Sequence, residues 1–431
     1  MGSEFRVLTW VCIACACACA DSATSPTVSA PMAQQPGAPT ATAGQTPPPS
    51  AAGARAAAAG TPGLPPPSAG STAPLVPPAQ DAGVTKPPDV DAGPAEPPAA
   101  GAAAPLPSTP GTIKVFDQIP QYGIYATEDP KGFTPPAGVL MWSHGTQFAV
   151  RLSPEQKAKI GADLKARVTY HAQCDNYDRL GGAFFLVTEP GRTPTDKDTR
   201  SELVRFITPF SDFQRGALAT YVFEDADIAS HAAVLADPTH DVWVGIGGGS
   251  NPYAEDPCAN TNKPAEFKAV GFKYSLELVS TKPLSAAKPH HLSALYNVQA
   301  MKLPITADLD LKVDAPTGHV TVIISGHGAE AGGNEYMHTM DSLSVDGQVV
   351  GMFSTQVDCA KYAKFSPDGN QGIFRNNSGG NPRNWCPGML VAPRSFPVQL
   401  KPGLHKLSLA VDPARMPEGS YYATSISFST P

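Results

Sequence analysis

From residue 21 to about 110 the chain contains no Phe, Trp or Tyr, and it holds there 22 of its 47 prolines. The rest of that stretch is mostly Ala, Gly, Ser and Thr, as in "AGQTPPPSAAGARAAAAGTPG". So little apolar area cannot offset the entropy of ordering a chain, which excludes a packed domain and predicts a disordered Pro/Ala-rich linker. Also missing is an apolar run of the roughly 20 residues that a membrane-spanning helix requires. No excess of basic residues exists either: the net charge is −7, which argues against nucleic acid as a partner. Helical periodicity is scarce, and "SPEQKAKIGADL" is the best short helix, with Ser153 as its N-cap.

What is present begins with "RVLTWVCIACACACADS". An Arg followed by about fourteen apolar or small residues fits the h-region of a secretory signal, with Ala18-Cys19-Ala20 as a small-x-small cleavage site. The repeated Cys raises lipid attachment as a weaker alternative, since no Leu stands three residues before any of them. "MGSEF" looks like a cloning scar. The expectation is export by a bacterium, to the medium, the periplasm or the cell surface. Of eight cysteines, four lie in this segment, leaving Cys174, Cys258, Cys359 and Cys386. An even number in an exported protein favours disulfides, and pairing within separate domains gives Cys174–Cys258 and Cys359–Cys386 as the economical choice. Those four lack CxxC or HxxxH company, so no metal site is assigned and no cofactor is expected.

From Gly111 onward the chain reads as short strands between turns: "KARVTYHA", "GAFFLVT", "LVRFITPF", "HDVWVGI" and "KYSLELVST" are rich in β-branched and aromatic residues. The pattern resumes after "KPLSAAKPHH" with "HVTVIISG", "DSLSVDGQVVG", "SFPVQLKPG", "HKLSLAVDP" and "SYYATSISFS". The Asp-Gly in "SVDGQVV" signals a two-residue hairpin. Strand spacing of this kind predicts an all-β fold of two adjacent jelly-roll β-sandwich domains. The expected boundaries are 1–20 for the signal, 21–110 for the linker, 111–283 for the first jelly roll and 284–431 for the second. "GIGGGS" lacks the Lys-Ser/Thr of a phosphate loop and reads as a flexible loop. "RTPTDKDTR" reads as a solvated turn.

"CDNYDR" ahead of an apolar strand, then "RFITPF", "ISGHG", "NEY", "DCA" and "NPRNWCPGMLV" in that order, resembles the peptide-N-glycosidase F family, from about Ile113 to Phe428. The resemblance implies two eight-stranded jelly rolls with a site at their junction. It also implies hydrolysis of the amide between an Asn side chain and the first N-acetylglucosamine of N-linked glycans, on glycoproteins or glycopeptides. Asp178 then stands for the principal catalytic carboxylate and Arg179 for the Arg beside it. Glu335 stands for a Glu binding the chitobiose core and a water, and Arg383 for an Arg reaching in from the second domain. Tyr177, Tyr336 and Trp385 offer aromatic faces to sugar, and His327 lies near the site where the family has another aromatic. With an ordinary pKa, His327 is expected to make activity pH-dependent. The family pairs Cys359 with Cys386, and the chain is expected to be a monomer.

One departure matters. A second family Glu falls near the end of "DVWVGI", where this chain has Gly or Ile; the nearest acidic groups are Glu255 and Asp256. That absence keeps open a noncatalytic glycan-binding or cell-surface module. A copper monooxygenase on a double jelly roll is a further alternative, with His290, His291, His327, Met337 and His338 as ligand-type residues, but the neighbouring His-x-His of such sites is absent.

Overall fold

A computed structural model of the protein describes residues 108–123, 128–130, 132–173, 175, 178–210, 220–250, 270–285, 291–312, 315–328, 334–360, 362 and 384–430. All belong to the unit Ala95–Pro431; the chain's other unit, Met1–Pro94, lies wholly outside the described residues, and with it the signal and most of the linker. Residues 108–110, assigned to the linker from sequence, are already tied down. Ser108 Oγ donates to the Ile160 carbonyl and Thr109 N–H to that of Ala158.

Ten strands come first: β1 (Thr112–Gln121), β2 (Val139–Trp142), β3 (Gln147–Arg151), β4 (Lys165–Ala172) and β5 (Leu180–Thr188). They continue as β6 (Ser201–Ile207), β7 (Thr220–Val222), β8 (Ala226–Asp227), β9 (Asp241–Gly248) and β10 (Phe272–Val279). Nine more follow: β11 (His291–Ala300), β12 (Ile305–Leu311), β13 (Ala315–His327), β14 (Met340–Val345) and β15 (Gln348–Ser354). The last are β16 (Leu390–Val391), β17 (Arg394–Leu400), β18 (Gly403–Asp412) and β19 (Tyr421–Ser429). Burial alternates along β4, β10 and β12, because period-2 side chains place one row toward a core and the next toward solvent.

One pair of sheets has the orders β1-β10-β4-β7, with β8 on β4, and β16-β6-β5-β9-β3-β2. They enclose a core including Phe148, Tyr170, Phe185, Phe206, Phe272 and Tyr274. The second pair, β11-β19-β13-β17 and β12-β18-β14-β15, encloses Leu309, Val320, Leu343, Leu409 and Phe428. The protein is therefore a double β-sandwich. The Asp-Gly hairpin joins β14 to β15 with positive φ at both Asp346 and Gly347, the backbone a two-residue type I′ turn demands. The expected helix shrinks to one turn, α1 (Pro154–Lys157), capped by a reciprocal Ser153–Gln156 box.

The six-stranded sheet is buried on both faces. Phe185 enters the first core, while Phe184, Leu186 and Trp243 turn outward and pack with Trp142 and with Tyr296 from β11. The charge run ending at residue 200 is solvated through most of its length, but Arg200 departs from that expectation. It is buried, with its guanidinium carbon 4.9 Å from the Trp142 ring centroid, 5.2 Å from Phe184 and 5.9 Å from Tyr296. A delocalised, weakly hydrated cation tolerates such aromatic surroundings.

β6 carries a second buried cation at the junction. In strict alternation, residues three apart face opposite ways. Here β6 pairs Val204 with Ala183 and Glu202 with Phe184, leaving Leu203 as an extra residue, a bulge. The bulge turns Glu202 and Arg205 to the same side. Arg205 donates from Nε and Nη2 to Glu202 at 2.9 and 2.7 Å, from Nη1 to Ser325 Oγ at 3.2 Å and to the Ala423 carbonyl, and from Nη2 to Ser425 Oγ at 3.3 Å. Its five N–H groups are thus all engaged, across both sandwiches.

Asp341 interrupts an apolar face. It occupies an inward position of β14, in line with Leu343 and Val345, and is fully buried. Burial pushes its pKa from 3.8 up to about 7, against a smaller opposing pull from the Thr339 side chain. The folded state therefore keeps a proton that the unfolded chain releases above about pH 4. Stability contributed by this group falls as pH rises from about 4 to 7 and levels off beyond. Asp341→Asn should stabilise the fold by a few kcal/mol near pH 7.5 and by almost nothing near pH 3.5, as urea midpoints at the two pH values would report.

Candidate functional site

Asp178 and Arg179 sit half-buried immediately before β5. The backbone there is locked to the end of β6: Arg179 N–H donates to Thr208 Oγ1 at 2.6 Å, and Thr208 N–H returns a bond to the Arg179 carbonyl at 2.8 Å. Arg179's guanidinium is held by Asp175, with Nε 2.7 Å from Oδ2 and Nη2 3.3 Å from Oδ1. Asp175 is buried, and its own N–H donates to the Gly271 carbonyl. A forked Arg–carboxylate bond fixes the plane of the guanidinium, so a rigid cation stands beside Asp178. The sequence placed an Arg there and did not identify Asp175 as the group that braces it; the four-residue spacing of the two was the available signal.

The segment 384–391 crosses from this edge to the second sandwich. Gly388 N–H and the Met389 carbonyl bond Ile207, and Leu390 and Val391 form β16 against Phe206 and Arg205. Leu180, next to Arg179, packs on a cluster of Ile207, Ile323, Trp385, Cys386, Met389 and Cys359. Cys359 and Cys386 are disulfide-bonded, with Cα atoms 5.4 Å apart. From the same segment, Trp385 Nε1–H donates to the Gly326 carbonyl at 2.7 Å, and Asn384 Oδ1 accepts from Gly326 N–H at 2.9 Å. Gly326 also abuts Asn334: a Cβ there would lie 2.8 Å from the Asn334 carbonyl. Asn334 opens the short 3-10 turn Asn334–Tyr336 that carries the half-buried Glu335. One continuous run of contacts thus connects Asp178–Arg179 with Trp385, His327 and the Glu335 turn.

Two expectations change here. Trp385 is 2% exposed, so its ring anchors the cluster beside the disulfide and is not an open sugar platform. His327 is also buried, its ring 5.0 Å from Tyr421 and 5.6 Å from Trp385. Burial first, and then the nearby Arg205 charge, push its pKa down to about 3. A ring so held does not titrate near neutrality, and the expected pH-dependence from His327 is withdrawn. Tyr177, Arg383, Cys174, Cys258, Glu255, Asp256 and His290 lie outside the described residues, as does the side chain of Tyr336. His291 packs against Phe185 and His231 and bonds Ser201, sharing no contact with His327. Among the described residues, no three His, Cys, Asp or Glu side chains converge as metal ligands, and no helix is long and apolar enough to cross a membrane.

"GIGGGS" is corrected too: Gly245 to Gly248 form the end of β9 and are not a flexible loop. A Cβ on Gly245 would lie 2.3 Å from the Phe184 ring, on Gly247 2.6 Å from the Thr146 carbonyl, and on Gly248 2.7 Å from Tyr274 Oη. Ile246 between them is fully buried in the first core. These positions have no side-chain space for a carboxylate, so the missing second Glu reflects closed packing as well as a changed residue.

Fold and junction together define a two-sandwich, all-β protein with a polar site where the sandwiches meet. The C-terminal domain model of peptide-N-glycosidase F matches residues 295–429. Two solved structures of PNGF-II align with 19% and 18% identity over 74% of this chain, with TM-scores of 0.56 and 0.55. The chain spans 64% and 65% of those two longer chains. PNGase F, a glycosylasparaginase from Flavobacterium meningosepticum, aligns with 15% identity over 74% of this chain and 94% of its own, at a TM-score of 0.48. No curated protein sequence matches. Residues 295–429 thus match the C-terminal domain of the peptide-N-glycosidase F family, and the chain shares the fold of the PNGF-II structures.

Proposed function

We propose that the protein is an exported amidase that cleaves the bond between Asn and the first N-acetylglucosamine of N-linked glycans on glycoproteins and glycopeptides, without a cofactor. The observation supporting this reading is the braced Asp178–Arg179 pair at the sandwich junction, tied through Leu180 and the 384–391 segment to the Glu335 turn. Asp178 takes a proton from water as the oxygen attacks the side-chain carbonyl. Arg179, with Arg383, stabilises the oxyanion that forms. As the intermediate collapses, the carbon–nitrogen bond breaks and the proton passes to the leaving nitrogen. The peptide keeps an Asp, and the glycan leaves as a glycosylamine that later loses ammonia. Glu335 binds the chitobiose core and orients the water.

The closed packing at Gly245, Gly247 and Gly248 favours a second reading, a glycan-binding module without turnover. Incubation with a denatured N-glycoprotein separates the two. The amidase reading expects free glycan in solution, whereas bound but intact glycoprotein would sink it in favour of the module.

A further inference from the structure

The face that the second sandwich turns toward the first carries a line of hydroxyls. On β13, Thr321, Ile323 and Ser325 share one side of the strand. Ser325 Oγ accepts from Arg205 of β6 at 3.2 Å, so that side faces the first sandwich. Thr321 lies opposite Ser395 of β17 on one flank and Ser427 of β19 on the other. Three neighbouring strands thus set three hydroxyls in a row, roughly 4.8 Å apart by the spacing of strands. Thr321 Oγ1 donates to Ser395 Oγ at 3.1 Å, and Ser427 Oγ has no partner among the described residues.

Elsewhere along the junction the sandwiches touch. Tyr296 of β11 packs on Phe184 with ring centroids 5.7 Å apart, and Arg205 bonds Ser325 and Ser425. Over the hydroxyl row they part, leaving a cavity of about 400 Å³, within the roughly 300–1,000 Å³ of small-ligand sites. Glu202, with Asp227 of β8 and Ser230 just after it, forms the opposite wall, and Leu295, Ile323 and Pro393 supply apolar surface. This cavity is separate from the Asp178–Arg179 pair. Ile207 of β6 is the residue opposite Leu180, and Glu202 lies five residues back along the strand, roughly 16 Å away at about 3.3 Å per residue.

Two lining groups still have bonds to make. Ser425 is only 4% exposed, and it lines the cavity. Its Oγ accepts from Arg205 Nη2 at 3.3 Å and from Asn297 N–H at 2.7 Å, which occupies both lone pairs of a hydroxyl. Neither partner can accept, and no acceptor among the described residues takes the hydroxyl hydrogen. Asp227 Oδ1 accepts from Ala229 N–H at 3.0 Å, which orients the carboxylate and leaves Oδ2 open. Charge narrows the ligand further. Among the described residues neither Lys nor Arg lines the cavity, Glu202 is matched by Arg205 behind it, and burial pushes the His231 pKa down to about 4, so its ring is neutral. An anion would meet no cation here. An ammonium has only hydrogens to give and would leave the Ser425 hydrogen unmet. A neutral sugar ring has hydroxyls that both give and receive, and a C–H face for the apolar side.

We propose that this cavity is a saccharide site, taking one neutral sugar ring whose hydroxyls bond Ser425, Asp227 and the Thr321–Ser427 row while its C–H face lies on Leu295 and Ile323. The sugar comes either from an outer position of a substrate glycan or from a free saccharide. Binding is the claim, so it stands or falls apart from the amidase reading.

The test uses the full chain with ¹³C-methyl-labelled leucine, the Leu295 signals being assigned by their loss in Leu295→Ile. At least one of methyl α-mannoside, galactose and N-acetylglucosamine should shift the Leu295 methyl signals saturably. Thr321→Val and Asp227→Asn should each weaken that binding about tenfold, the scale of one lost hydrogen bond, while Asp178→Asn should leave it unchanged. No response to any of the three sugars, or a response to glucosamine or gluconate alone, would overturn the proposal. So would sugar binding that Thr321→Val and Asp227→Asn leave intact, or that Asp178→Asn abolishes. A KM raised by Thr321→Val for a glycopeptide with its complete glycan, and not for one trimmed to chitobiose, would assign the sugar to the substrate. Equal KM values for both, with the Leu295 shift present, would assign it to a free saccharide. An inactive wild-type chain would count against the amidase reading and leave the methyl signals to decide this one.

Discussion

Asp178→Asn should lower glycan release about 100- to 10,000-fold, the usual scale for losing a positioned general base, while leaving the melting temperature nearly unchanged. The backbone at this position is set by Arg179 and Thr208, and the guanidinium beside it by Asp175. None of those contacts requires an ionised side chain at 178, and Asn has almost the same shape. A mainly structural Asp178 would give the reverse pattern, a lowered melting temperature with kcat largely kept. Within the proposed chemistry the loss should fall on kcat more than on KM, since the carboxylate acts on the attacking water. Activity within about threefold of wild type would remove Asp178 from the mechanism.

The second large effect is on stability. Arg205→Met should destabilise the fold by about 3–5 kcal/mol, the cost typical of breaking a buried ion pair by removing one partner. Glu202 would be left buried without its cation. Ser325, Ser425 and the Ala423 carbonyl would also lose a donor, and these belong to the second sandwich. Replacing both charges, as in Glu202→Met with Arg205→Met, should recover most of the loss, because an apolar pair of similar volume carries no desolvation cost. Denaturant midpoints of the two single variants and the double variant would measure the coupling. A single variant weakened by less than about 1 kcal/mol would mean that the pair does not hold the junction.

Much of the fold is legible in the sequence because strand signals are local. "KARVTYHA" is β4 residue for residue, and Asp-Gly marks its hairpin at the turn that needs positive φ. The hidden features depend on partners distant in sequence. The β6 bulge appears once β5 is laid beside it, and without that bulge Glu202 and Arg205 would be read as facing opposite ways. Arg200 looks like the end of a solvated charge run until Trp142, Phe184 and Tyr296 are seen around it. The glycines of β9 suggest a loop to composition alone, whereas close approach to Phe184 and Tyr274 requires them. Asp178, Arg179 and Glu335 stand out in the sequence by their motifs, and the structure brings their segments to one junction. His327 was misjudged in its titration, since burial and Arg205 govern it and neither is adjacent in sequence.

The proposed activity is hydrolysis of the side-chain amide of a glycosylated Asn. The most direct measurement is to incubate the full chain with a synthetic N-glycopeptide in ¹⁸O-water and weigh the peptide product. The account predicts a deglycosylated peptide with Asp in place of Asn and one heavy oxygen in its side-chain carboxylate. A peptide that keeps an N-acetylglucosamine stub, or that remains fully glycosylated, would contradict it.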